Sequence, residues 1–340
     1  MKAFQIGDQT GIASLIQVER PAPVAGPGQT VLKVAAACLN HRDLKIIFGG
    51  YGPRKPAETT PCSDGVGEVI AVGEGVTGLA VGDRALCGHF VTWLDGVFTP
   101  TAFSVDLGVN ANGWLAEQIV APAAALVKLP ASVSDAQAAP LPSAGLTAWN
   151  ALVEVGKIKA GDIVLALGTG GVAIFALQIA KMHGAKVVIT SSSDDKLAIA
   201  KSLGADVTIN YAKRPDWAAA MLEETGGQGA DIVVETGGGA TLSQSVAAAA
   251  PNARIAIIGS LSGSFGGDIP NFASLIGKNI ILKGIAAGNR RMLADLVRAA
   301  AQNGLTPPID KVFAFADAPA AYAYLQSGAH LGKVMVEVGG

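Results

Sequence analysis

From Ile163 to Asp195 a strand, a glycine turn, a helix and a second strand follow one another without interruption. Ile163–Leu167 is an apolar run of strand length, as expected for a parallel strand buried on both faces. Gly168, Gly170 and Ala173 then fit the spacing G-x-G-x-x-G/A. In that pattern the first glycine makes the tight turn and the second lets a pyrophosphate approach the backbone. The small third residue lets the helix pack close to the sheet, its N-terminus facing the phosphates. Ala176–Met182 continues the helix, Gly184 stops it, and Lys186–Thr190 is the next strand. The layout predicts a dinucleotide-binding unit for a nicotinamide or flavin cofactor, with Gly168, Gly170, Gly171 and Val172 forming its phosphate turn. A membrane span would also use an apolar run such as 163–180. Glycines, a threonine and a glutamine interrupt this one, and no basic flank or aromatic belt frames it.

A chain of 340 residues, half of them hydrophobic, has material for two domains with sizeable cores. Its 43 glycines suit an α/β enzyme with many tight turns. A net charge of −2 and the absence of any Lys/Arg run exclude a general attraction to nucleic acid or an anionic membrane. The first residues, MKAFQIGDQ, lack the apolar segment of a secretory signal. Three widely spaced cysteines cannot form a disulfide framework, so a cytoplasmic protein is expected.

The first 130 residues carry short alternating runs (Val31–Val34, Gly65–Val72, Trp114–Val120, Ala125–Leu129) between Pro, Gly and Asp turns. This rhythm predicts a compact, partly closed β-barrel. After Pro142 strands and helices alternate. The expected strands are Ile163–Leu167, Lys186–Thr190, Val207–Asn210, Ile232–Glu235, Arg254–Ile258 and Ile280–Lys283. Helices are expected at Ala173–Met182, Asp194–Ser202, Trp217–Thr225 and Leu242–Ala249. Such alternation gives a doubly wound parallel sheet, and the α/β class. The tail adds helix Arg291–Asn303, strand Phe313–Phe315, helix Ala318–Ser327 and strand Lys333–Val338, which lie beyond a complete six-strand unit and return to the first domain.

Five segments in order, AACLNHRDL (36–44), CSDGVGEVIAVGEGVTGLAVGDR (62–84), LPSAGLTAWNAL (141–152), LGTGGVAIFALQIAK (167–181) and HLGKVMVEV (330–338), resemble the medium-chain dehydrogenase/reductase superfamily. The nearest branch is the zinc-free, quinone-oxidoreductase-like group, often labelled NAD(P)-dependent alcohol dehydrogenases. The resemblance implies a GroES-like catalytic domain, residues 1–144 and 286–340, split in sequence around a Rossmann domain at 145–285. Zinc-bearing members hold their catalytic metal with a Cys, a His and a Cys. The matching positions here are Asn40, Ser63 and Ser143. Neutral amide and hydroxyl groups replace thiolate and imidazole poorly. The four-cysteine structural lobe is replaced by Gly88–Gly113, which has no cysteine. No metal is therefore expected. Cys38, His41, Cys62 and Asp64 could offer another metal set, but small buried cysteines in strands are the plainer reading.

Without a Lewis acid, simple alcohol–ketone interconversion needs a general acid/base, whereas hydride addition to an enone or quinone leaves an oxyanion already delocalised. Expected catalytic residues are Tyr51 as hydrogen-bond donor or proton source, Asn40 with its amide toward the substrate, and Asp43 orienting its neighbours. His41 and His89 could shuttle protons. Phe90, Trp93, Phe98 and Phe103 could close over a substrate or give their loop its own small core.

For the nucleotide, the position about twenty residues past the glycines carries Ser191, Ser192 and Ser193 instead of an acidic residue. Hydroxyls can donate to a 2′-phosphate that a carboxylate would repel. With Lys196 and Tyr211 placed around that phosphate by resemblance, NADPH is expected, NADH remaining possible. Asp194 and Asp195 fit as acidic residues of the next helix's first turn. Resemblance also puts Thr147, Gly259 and Ser260 near the nicotinamide and Lys333 on the pyrophosphate. Strand Ile280–Lys283 is expected to pair with its symmetry mate in a homodimer. The reading is an NADPH-dependent, metal-independent reductase of a small enone or quinone. Its rivals are an alcohol dehydrogenase or carbonyl reductase relaying protons through Tyr51 or His41, and a non-catalytic NADPH-binding sensor.

Overall fold

The apolar run Ile163–Leu167 is wholly buried and lies inside a six-stranded, all-parallel sheet. Across the sheet the order is Val207–Asn210, Lys186–Ser191, Ile163–Leu167, Ala230–Glu235, Ala249–Ile257, Ile281–Gly284. The chain thus starts in the middle, fills one side, returns and fills the other, a doubly wound order whose reversal opens a crevice at the carboxyl ends of the strands. Helices Gly171–Met182, Asp194–Ser202, Trp217–Glu224 and Leu242–Ala248 lie between consecutive strands. Ser193 and Asp216 side chains cap two of them by accepting backbone N–H bonds. Leu165, Val188, Val233 and Ile255 pack with Trp217 and Met221 in the core.

The computed structural model describes residues 1–259 and 270–339. They divide into two units, Met1–Leu146 with Gly288–Gly340, and Thr147–Ala287. The first unit is organised by one long strand, Gln29–Leu39, which pairs antiparallel with Asp64–Val72, Gln118–Pro122 and Lys333–Glu337. Its register against Asp64–Val72 shifts at Val31/Leu32 and at Val34/Ala36. Such bulges bend a strand and curl its sheet, here around a core that includes Leu32, Val34, Leu39, Trp114 and Tyr322. Gly65 is needed there, because a Cβ would stand 2.6 Å from the Trp114 ring. In the tail, Ile309–Ala314 and Lys333–Glu337 are parallel neighbours joined through helix Ala318–Ser327.

Three local expectations change. The strand expected at Val31–Val34 runs to Leu39, since Ala35–Ala37 is covered on both sides and needs no alternation. Trp114 lies outside the strand Gln118–Pro122, its N–H donated to the Cys62 carbonyl (2.8 Å). Cys62 is not in a strand: it is buried in a loop with φ of +76°, a left-handed conformation uncommon outside glycine. Residues 141–155 are helical, with π-helical turns at Leu141–Gly145 and Asn150–Val155. Among the described residues no helix is long and apolar enough to cross a membrane.

Candidate active site

The carboxyl ends of three parallel strands build the nucleotide turn. Gly168 has φ of +82° and Gly170 precedes helix Gly171–Met182 without any side-chain cap. A Cβ on either glycine would meet nothing within 4 Å. The first N–H groups of that helix thus have no side-chain cap, the arrangement that suits a phosphate. The neighbouring strand ends close in, with Thr236 Oγ1 donating to the Leu167 carbonyl (3.0 Å) and Gly259 stacked near the Thr236 carbonyl. Ser260 lies outside the described residues.

Buried Glu235, which sequence reasoning missed, braces the loop beside this turn. Its carboxylate accepts the N–H groups of Gly237 (2.8 Å) and Gly238 (3.0 Å) and the hydroxyls of Thr241 (2.6 Å) and Ser245. A strand-ending Glu in the run E-T-G-G-G (235–239) was the available signal. Ser191 is buried at the end of its strand, Ser192 is exposed, and the exposed Tyr211 donates its N–H to the Ser191 carbonyl. Asp194 is neutralised locally, accepting from Asn210 (2.6 Å) and pairing with Lys213. Thr147 is buried in helix Leu146–Trp149.

In the first unit the three positions that match zinc ligands converge. The Asn40 amide donates to Ser63 Oγ (3.3 Å), and Ser63 Oγ donates to one oxygen of Asp64 (3.0 Å). The other oxygen of Asp64 accepts the Ser143 N–H (3.0 Å). The Lys333 ammonium caps this chain, donating to the Leu39 carbonyl (2.6 Å) and to the Asn40 side-chain oxygen. Lys333 is 3% exposed and Asp64 fully buried. Lys333 was expected on the pyrophosphate; its partners in the structure are those of this cluster. Asp43 completes it, accepting the N–H of Asn40 (2.7 Å) and, across the Cys62 turn, that of Ser63 (3.3 Å).

An amide, two serines, a single carboxylate and an ammonium are a poor donor set for a transition metal. Among the described residues no group of three or more His, Cys, Asp or Glu could hold one. Cys38 and Cys62 turn their thiols to backbone carbonyls, and burial pushes Cys38 up to about 12 and Cys62 well above its usual range. As free side chains they stay neutral thiols.

Burial also pushes the Asp43 carboxyl from 3.8 up to about 6, against the pull of Arg42 and with a push from Asp64. Unfolded, the group loses its proton near 3.8. Folded, it keeps the proton until about 6, so between those values the native state binds more protons. The stability Asp43 contributes is then highest in acid and declines as pH rises through that window. The urea midpoint of the wild type, measured relative to Asp43→Asn, is expected to fall from about pH 4 to about pH 6 and then level off. A difference constant across that range would contradict the assignment.

A second cluster adjoins the first along helix His41–Ile47. Arg42 Nη2 lies 2.8 Å from both oxygens of Asp106, whose Oδ1 also takes His89 Nδ1 at 2.8 Å. The Tyr51 ring sits 5.1 Å from the Arg42 guanidinium carbon. Burial pushes His89 down, leaving it neutral, and pushes Tyr51 up, so the phenol keeps its proton. For Asp106 burial pushes upward, but His89 and Arg42 outweigh it and hold the carboxylate low. Sequence reasoning named Tyr51 and His89 but missed Arg42 and Asp106; only the Arg two residues after Asn40 in NHRDL hinted at the pair. Asp106 comes from the loop Gly88–Gly113. There Phe90, Trp93, Phe98 and Phe103 pack edge-to-face at 5.1–6.4 Å, Phe90 and Trp93 buried and Phe98 and Phe103 exposed. His41 is exposed.

Residues 26–131 match the alcohol dehydrogenase GroES-like domain, and residues 171–302 match the zinc-binding dehydrogenase domain. A zinc-type alcohol dehydrogenase-like protein of Schizosaccharomyces pombe is 43% identical over 320 residues, 92% of this chain and 91% of that one. Two solved structures cover nearly all of the chain. A NAD-dependent alcohol dehydrogenase has 33% identity and a TM-score of 0.90, with 100% of each chain covered. A quinone oxidoreductase from Pseudomonas syringae pv. Tomato DC3000 has 30% identity and a TM-score of 0.82, with 99% of each covered.

Proposed function

The chain belongs to the medium-chain dehydrogenase/reductase superfamily and is a nicotinamide-dependent oxidoreductase; from that premise we propose that it reduces quinones or α,β-unsaturated carbonyl compounds with NADPH, without a metal. The observation that carries this reading is the cluster Asn40–Ser63–Asp64–Ser143 capped by Lys333, where a side-chain cation stands among the residues at the three zinc-ligand positions. When bound, the reduced nicotinamide supplies a hydride. Gly168, Gly170, Gly171 and Val172 bind its pyrophosphate at the helix N-terminus, and Thr147 and Gly259 line its nicotinamide end. Ser191, Ser192, Lys196 and Tyr211 receive the 2′-phosphate, a role supported by the neutralised Asp194 beside them.

On the acceptor, hydride arrival at carbon sends a π pair onto oxygen. Tyr51 donates to that oxygen and delivers the proton that completes the reduction, while Asn40, its amide engaged by the Cys38 carbonyl, Ser63 and Lys333, shapes the site beside it. Asp43 holds the backbone of Asn40 and Ser63 in place. The alcohol dehydrogenase names of two relatives favour a second reading, carbonyl–alcohol interconversion with the same residues.

A homodimer is in keeping with the outermost strand Ile281–Gly284, where Ile281 is exposed together with Phe272 and Ile276 of the preceding helix. The test is a panel of quinones, enones, ketones and alcohols assayed with both nucleotides, with and without chelator. Faster turnover of quinones or enones with NADPH, unaffected by chelation, is expected. Stoichiometric zinc whose removal abolishes activity would refute the metal-free part, and a ketone preference would favour the second reading. Light scattering on the same sample would remove the dimer by giving the mass of a single chain.

A further inference from the structure

We infer that the Arg42 guanidinium is the cationic group that receives the negative charge left on the acceptor oxygen, with Asp106 and His89 as the residues that position it. The inference rests on the reductase reading above. Asp106 engages Arg42 through a single nitrogen, Nη2, at 2.8 Å to each carboxylate oxygen. The other two guanidinium nitrogens, Nε and Nη1, are buried and have no hydrogen-bond partner among the described residues. The side chain as a whole is 11% exposed. A buried N–H group without an acceptor carries a desolvation cost, more so on a charged group, and native proteins rarely leave one unmatched without a use.

Of the two buried cations close to Asn40, Arg42 is the one with donor atoms that lack any partner among the described residues. Lys333 is already committed to the Leu39 carbonyl and the Asn40 oxygen, within reach of the Asp64 field.

The guanidinium is also fixed in advance. Asp106 is held by His89 Nδ1 on one carboxylate oxygen. Its backbone is locked too: the Asp106 N–H donates to Asn110 Oδ1 (2.7 Å), and its carbonyl accepts from Val109, Asn110 and Ala111. On its other side the guanidinium lies against the Tyr51 ring, with the Lys55 ammonium 5.9 Å from the same ring. Donors that need no rearrangement as charge develops stabilise a transition state most.

The step balances without a further reagent. A C–H bond forms on the acceptor carbon as one breaks on the reduced nicotinamide. The displaced electron pair comes to rest on the acceptor oxygen against Arg42, and a proton from the Tyr51 hydroxyl, replaced from water, neutralises it.

The test uses the NADPH-bound enzyme and a quinone or enone that the wild type turns over. Arg42→Ala is expected to lower kcat roughly 100- to 1,000-fold with the KM for NADPH unchanged. Millimolar guanidinium chloride is expected to restore part of that activity where sodium chloride does not. Arg42→Lys, a point charge on a flexible stem, is expected to fall between. Turnover of Arg42→Ala within threefold of wild type, or identical effects of the two salts, would overturn the assignment. Should Arg42→Ala not fold, the wild type still decides: formate is expected to compete with the acceptor and not with NADPH, and failure to compete would overturn it. Absence of any wild-type turnover on these acceptors would instead sink the reductase reading.

Discussion

Gly170→Val is expected to remove nucleotide binding and leave the protein folded. Gly170 has φ −77° and ψ −179°, extended backbone that any residue adopts, and a Cβ there has open space around it. Neither the backbone conformation nor the space around the Cβ opposes a side chain there. The branched methyl groups would project over the bare N-terminus of Gly171–Met182, where a pyrophosphate must come within hydrogen-bonding distance. Losing two charge-assisted hydrogen bonds at about 1.5 kcal/mol each weakens binding on the order of 100-fold. Fluorescence titration with NADPH and with NADH, alongside a thermal melt, measures both halves of the expectation. An unchanged Kd would mean that the phosphates bind elsewhere.

Lys333→Met is expected to have the largest effect on stability. The substitution keeps the length of the side chain and removes its charge. It would strand the Leu39 carbonyl and the Asn40 amide oxygen, and leave the buried Asp64 without its nearest cation. Breaking a buried charged cluster by deleting one member costs about 3–5 kcal/mol, because the remaining groups stay buried and uncompensated. Urea denaturation would register this as a lower midpoint. The alternative outcome is equally sharp: unchanged stability with NADPH affinity reduced would return Lys333 to the pyrophosphate role that resemblance suggested.

The parallel-sheet unit was readable because its signals are local. Strand Ile163–Leu167 is a run buried on both faces, and helix Asp194–Ser202 carries its own capping serine and acidic first turn. The barrel was harder. Ala35–Ala37 offers no alternation, so the central strand looked four residues long when it is eleven. Within the site, Asn40, Ser63 and Ser143 were legible only as substitutions within a resemblance. Nothing in the sequence says that Asp64 joins them. The Arg42–Asp106 pair spans 64 positions and depends on how loop Gly88–Gly113 folds back, which no periodicity encodes. Glu235 was hidden for a different reason: it ends an apolar strand, where a charge ordinarily marks the surface, yet it is fully buried.

The pairing of Lys333–Glu337 with Leu39–Ala36 dictates the order in which a nascent chain can mature. Residues 147–287 possess every strand of their sheet once they leave the ribosome and can close while synthesis continues. The amino-terminal barrel, translated first, must wait with an open seam until the last strand emerges to fill it. Its early-made half is thus the part most exposed to premature association during biogenesis, and removing the final eight residues would leave that seam permanently unzipped.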